Sequence, residues 1–147
     1  MLKAFSRTLG GCCVVVLTAC AASAPPPLPD DSLYQALGGQ PGINRVVEGL
    51  LYRIADDERI VHHFADTDIL RLQEKLQEQL CVEAGGPCEY TGDSMSEVHA
   101  GFAITEADFN ALVEDLIEAM TAEGISVRAQ NRLLQRLAPM RGDIIYR

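Results

Sequence analysis

Basic residues are scarce in this chain: 12 Lys and Arg stand against 21 Asp and Glu, a formal net charge of −9. Lys3 and Arg7 both sit in an N-terminal segment read below as a cleaved leader, so 10 basic residues against 21 acidic leave −11 on the remainder. Such a surface repels phosphate backbones and anionic head groups, which sets aside nucleic-acid binding and a polybasic membrane patch. Strand patterning is missing too. No stretch from Ser32 onward alternates apolar and polar residues for long enough to suggest a strand, and the expected fold is all-α. Aromatics are few, at 5% with no tryptophan. A Gly-rich phosphate loop, a nucleophile elbow and an HExxH zinc motif are all absent, so the chemistries they carry have no foothold. In 147 residues there is room for one compact domain, and 48% hydrophobic content with 22% charge excludes wholesale disorder.

Residues 9–19 (LGGCCVVVLTA) are mostly apolar, but this run is barely half the roughly 20 residues a membrane-spanning helix needs. With Lys3 and Arg7 before it and small residues after it, the segment has the layout of a secretory leader. It ends in Leu17-Thr18-Ala19-Cys20, which resembles the lipobox of bacterial lipoproteins and implies a leader over residues 1–19 with lipid on Cys20. Ala21, where retained lipoproteins carry Asp, implies by the same resemblance an outer-membrane lipoprotein facing the periplasm. Residues 20–31 then form a lipidated spacer. Four of the seven prolines fall in residues 21–31, an extended stretch of roughly 34 Å at about 3.1 Å per residue. The folded domain is expected over residues 32–147.

Of five cysteines, Cys12 and Cys13 leave with the leader and Cys20 takes lipid, which leaves Cys81 and Cys88 around a Gly85-Gly86-Pro87 turn. In an oxidising compartment this spacing predicts a disulfide. A zinc site would need a second Cys or His pair, and a redox motif would be more tightly spaced.

Apolar residues recur at helical spacing. Ile43, Val46, Val47, Leu50, Leu51 and Ile54 form one broad face of a helix expected to begin after the Gly38–Gly42 breaker. Ile69, Leu72, Leu76 and Leu80 make a second stripe, with Asp66-Thr67-Asp68 read as its cap. A third helix opens on the Thr105/Asp108 capping box, and a fourth starts at Ser126, carries Leu133, Leu134 and Leu137, and loosens at Pro139. Residues 87–104 are expected to be loop with one short helix. His62, His63 and His99 are the only side chains with evident ligand or acid–base potential.

Several segments, read in order, carry a resemblance to a known family. They are Leu33-Tyr34-Gln35-Ala36-Leu37-Gly38-Gly39, Val46-Val47-Glu48, Phe64-Ala65-Asp66-Thr67-Asp68, Gly85-Gly86-Pro87 and Tyr90-Thr91-Gly92. Met95-Ser96-Glu97-Val98-His99 follows, with Gly101, Ile104, Thr105 and Phe109. Residues 33–140 resemble the group 1 truncated haemoglobins, short globins with a two-over-two helical sandwich around haem b.

The resemblance implies that haem b is the cofactor, that His99 is the iron ligand and that diatomic gases (O2, CO, NO) bind on the opposite face. Phe64 falls on the aromatic that packs against the haem. Thr67, Ile69, Leu72, Leu76, Met95, Val98, Ile104, Phe109, Leu112 and Leu137 fall on positions that line its cavity. The chain also departs from the family. Typical members carry a Tyr and a Gln that donate hydrogen bonds to bound dioxygen, and this sequence has Leu51 and Leu76 there, so Leu51, Leu72 and Leu76 form an apolar distal pocket. Tyr52 lies one residue late, about 100° around the helix. Lys75 falls where some members supply a sixth iron ligand; the alternative is a lysine paired with an acid such as Glu78. His63 stands at a phenylalanine position of the corner and is a further candidate to reach the pocket. The resemblance implies gas binding rather than enzymatic turnover, with nitric oxide or peroxide detoxification, or a haem-free interaction module, as alternatives.

Overall fold

The computed structural model describes residues 32–147; the leader, Cys20 and the proline-rich spacer lie outside them. Among the described residues there are six α-helices and two 3-10 segments and no strand: α1 Ser32–Ala36, α2 Gly39–Asp56, a 3-10 turn Val61–Phe64, α3 Ile69–Glu83, α4 Met95–Val98, α5 Glu106–Ala122, α6 Val127–Leu137 and a 3-10 segment Ala138–Asp143. The pairs α2/α3 and α5/α6 stack, with α2 on α5 and α3 on α6, while α1 braces α2 and α6. This is the two-over-two arrangement. No helix among the described residues is long and apolar enough to cross a membrane.

Local chemistry sets the helix ends. Asp68, Ser94, Thr105 and Ser126 each cap a helix by accepting from the backbone N–H three residues on. The Thr105/Asp108 pair completes a capping box, as does Ser94 with Glu97 on the one-turn α4. The chain differs from expectation at α2, which starts at Gly39 and so includes Pro41. Proline is tolerated there because the first turn of a helix has no intrahelical partner for its N–H groups. The true stop is Gly38, left-handed at φ 86°. Gly42 is needed for a different reason: a Cβ on it would lie 1.9 Å from the Leu37 carbonyl oxygen.

The core lies between α1, α2, α5, α6 and the C-terminal end of α3. Ile43, Val46, Val47, Leu50 and Ile54 from α2 meet Ala111, Leu116, Ala119 and Met120 from α5 and Leu133 from α6. Toward the other end the helices bury less: neither α4 nor the C-terminal 3-10 segment has a buried residue, and α3 has only Leu80 and Cys81. Pro139 turns the end of α6 into the 3-10 segment, and Leu134 and Leu137 are only half-buried.

Cys81 on α3 is bonded to Cys88 in the following loop, with Cα atoms 5.9 Å apart. Closing a loop of sequence separation 7 stabilises by about 2.5 kcal/mol through the unfolded state. Replacing both cysteines by serine should lower the melting temperature of haem-free protein by roughly 10 °C. An unchanged melting temperature would show that the bond contributes nothing.

Candidate functional site

At the loosely filled end the helices surround a cavity of about 330 Å³, within the usual range of about 300–1,000 Å³ for small-molecule and cofactor sites. Its wall is mostly apolar. Ten of the twelve residues assigned to cavity or iron by resemblance are on it: Phe64 and Thr67, Leu72 and Leu76 from α3, Met95, Val98 and His99, then Ile104, Phe109 and Leu112. The guanidinium of Arg141 stands over the Phe109 ring, 5.8 Å from its centre.

Three expected residues are elsewhere. Ile69, the first residue of α3, is 46% exposed and off the wall, because Thr67 and Asp68 of the preceding turn build that end of the cavity. Leu137 packs against the core instead; past Pro139 the chain turns, and Ile144 is the residue that reaches the cavity. Leu51 also packs against the core, and α2 presents Leu50 and Ile54 to the cavity. Leu50 and Ile54 are four residues apart and share a helix face, whereas Leu51 is turned about 100° from Leu50. Leu50 and Ile54 were legible in the apolar stripe of α2. Ile60, Tyr90, Phe102 and Ile144 also line the cavity, and they come from turns and loops where no periodicity marks them. Tyr52 is 68% exposed and away from the cavity.

Several of the polar side chains on the wall are committed to partners. Lys75 donates to Glu78 at 2.9 Å, Glu74 at 3.2 Å and the Thr91 hydroxyl at 2.6 Å, with its side chain only 16% exposed. The bond to Glu78 pushes the Lys75 ammonium pKa above its ordinary value, and the Thr91 N–H with Lys75 pulls the Glu78 carboxyl down to about 2. A protonated ammonium has no lone pair to give a metal, so Lys75 in this arrangement is the acid-paired lysine. Gln79 donates to the sulfurs of Met95 and Met140, and the Tyr90 hydroxyl donates to the Asp93 carbonyl oxygen. Asp108 accepts from the Thr105 N–H and hydroxyl, which hold its carboxyl below the usual carboxylate range.

Two imidazoles remain on the wall, and they differ in how they are held. His63 Nε2 is buried without a hydrogen bond and lies 3.4 Å from Asp108 Oδ2, a distance suited to an ion pair once the ring is protonated. His62 stacks on it at 4.0 Å and is itself exposed. His99 is the C-cap of α4, and its Nδ1 is 2.7 Å from the Met95 carbonyl oxygen. Only a protonated Nδ1 can make that bond to a carbonyl, so in the neutral ring the lone pair is on Nε2. A backbone carbonyl orienting the far nitrogen is the usual support of a metal-binding histidine. Among the described residues no group of three or more His, Cys, Asp or Glu is placed to hold a metal ion. One oriented imidazole over an apolar cavity therefore suits a metal that brings its other ligands with it.

Comparison with known proteins agrees with this geometry. Residues 32–146 match the model of the bacterial-like globins. The group 1 truncated hemoglobin GlbN of Nostoc sp. is 36% identical over 114 residues, covering 78% of this chain and 97% of its own. That of Mycolicibacterium paratuberculosis is 34% identical over 113 residues, 77% of this chain and 83% of its own. The crystal structure of truncated hemoglobin from Tetrahymena pyriformis in its Fe(III) form superposes with a TM-score of 0.76 at 26% identity, covering 78% of this chain and 98% of that one. With the family model spanning residues 32–146 and these identities beside it, the chain belongs to the bacterial-like globins and, among them, to the group 1 truncated hemoglobins.

Proposed function

We propose that this chain is a haem b globin that binds diatomic gases, with no enzymatic turnover of its own, held at the periplasmic face of the outer membrane by lipid on Cys20. The observation that carries the reading is His99, whose Nδ1 is tied to the Met95 carbonyl oxygen while the ring stands on the wall of an apolar cavity. Globin membership implies a haem cofactor, and the residues present fit one. His99 would hold the iron through Nε2, and Phe64, Phe109, Met95, Val98 and Leu112 would enclose the ring. When bound, haem would supply an iron that His99 could hold and to which a small gas could bind.

The rest is the work of the chain's own side chains. The Met95 carbonyl oxygen favours the His99 tautomer with the proton on Nδ1 and helps to orient the ring. The apolar wall excludes water from the site. Leu50, Ile54, Leu72 and Leu76 offer no hydrogen-bond donor, and Lys75 and Gln79 are bonded to other partners, so the wall's further side-chain donors are His63, Thr67 and Arg71. A polarised gas such as dioxygen seated among the leucines gains little from them, and an unpolarised one such as carbon monoxide loses little.

Three results follow. First, His99→Gly should abolish the histidine-ligated absorption spectrum of the haem-loaded protein, and added imidazole should restore it; a spectrum unchanged in that variant would move the iron to another residue. Secondly, Leu76→Gln should slow dioxygen release by roughly one to two orders of magnitude, the effect of one bond to a charged acceptor, with carbon monoxide release changed much less. Leu51→Tyr should not, since Leu51 is off the wall. Slow dioxygen release in the unmodified protein would show that a donor such as His63 already reaches the ligand. Thirdly, mass analysis of the mature N-terminus should show diacylglycerol on Cys20, and Cys20→Ser should release or leave unprocessed a protein otherwise found with the outer membrane; soluble mature protein from the unmodified gene would overturn the anchor.

A further inference from the structure

His99 is positioned by a segment without a fully buried residue. The single turn α4 has no buried residue, and Gly101, Phe102 and Ala103 after it are all exposed. Apolar packing on this stretch is partial, with Met95 and His99 half-buried and Val98 and Phe102 on the cavity wall. Backbone bonds complete the hold, and three of them come from the far end of the chain: the Arg147 carbonyl oxygen accepts from the Gly101 N–H at 3.1 Å and the Ala103 N–H at 3.2 Å, and the Tyr146 N–H donates to the Ile104 carbonyl oxygen at 2.9 Å. The Phe102 N–H in between donates to the His99 carbonyl oxygen at 3.2 Å, so the held loop closes directly on the histidine.

The tail is itself tied down. The Arg147 guanidinium donates to the Gly142 carbonyl oxygen at 2.6 Å and pairs with Asp143 at 3.3 Å. Ala103 and Tyr146, one on each side of this junction, are the two non-glycine residues with positive φ among those described, at 50° and 55°. Left-handed backbone in such residues persists only where the surroundings over-determine it. The Tyr146 side chain is 66% exposed, so the residue contributes through its backbone.

We propose that Tyr146 and Arg147 form a latch on the loop behind His99 and act as positioning residues that hold its imidazole in register with the cavity. The latch rests on the reading of His99 as the iron ligand, but its geometry can be tested without the metal. In the haem-free full chain, amide exchange at Gly101, Ala103 and Tyr146 should be slowed, and deletion of Tyr146 and Arg147 should release Gly101 and Ala103. The deletion leaves Ile144 on the cavity wall.

In the haem-loaded chain the same deletion should shift or broaden the iron–imidazole stretching band in resonance Raman spectra. It should also speed haem loss to apomyoglobin about tenfold, as expected when positioning worth one net hydrogen bond is lost. Tyr146→Gly, which keeps the N–H and relieves the strained φ, should retain the parental band, whereas Tyr146→Pro, which removes the N–H and cannot adopt positive φ, should behave like the deletion. A parental band and parental haem loss in the deletion variant would overturn the latch, as would unprotected Gly101 and Ala103 amides in the full chain. Failure to bind haem at all would overturn the functional reading, and the exchange measurement would still decide the latch.

Discussion

One apolar stripe on α2 serves two purposes, and the site depends on that double use. Ile43, Val46 and Val47 are buried in the core, and Leu50 and Ile54, a turn or more further on, are at once core residues and cavity wall. Packing of α2 on α5 makes this possible, with Ala111, Leu116, Ala119 and Met120 of α5 buried against the α2 stripe. Where α5 carries small residues the helices close; where it carries Phe109 and Leu112 they flank open space. Leu50 or Ile54 made small would weaken the core and widen the cavity together.

The chemistry of the cavity is decided by which polar groups are already engaged. Lys75, Gln79, Tyr90 and Asp108 all border it, and each is bonded to a neighbouring residue. His99 is engaged through one nitrogen only. An apolar slot with an oriented imidazole on its wall fits the haem cofactor that globin membership implies. The acid-paired Lys75 matters here as well, because the carboxylates that favour its charged form would also keep it from acting as a ligand in the proposed haem site.

The all-helical fold, the caps and the apolar faces were legible because they depend on neighbours in sequence: Thr105 with Asp108, or Ile43 through Ile54 at helical spacing. The α2 boundary was harder, since a Gly-Gly-Gln-Pro-Gly run reads as a break, yet proline costs little in a first turn and only Gly38 needs the left-handed backbone. The cavity wall divides in the same way. Leu72, Leu76, Phe109 and Leu112 follow from periodicity and resemblance together, but Ile60, Phe102 and Ile144 arrive from turns, and their place is set by tertiary packing alone. Leu51 shows the limit of position-by-position transfer: it takes the register of a family donor, and its own side chain packs on the core. The tail's bonds to the loop behind His99 join residues more than forty apart, and no local pattern announces them.

The most direct test of the account is a haem titration of the purified chain followed by absorbance, with the reduced carbon monoxide form recorded at the end point. The account predicts saturation at one haem per chain and the spectrum of a histidine-ligated haem b. Uptake that never saturates, or a saturated complex without a histidine ligand, would contradict it.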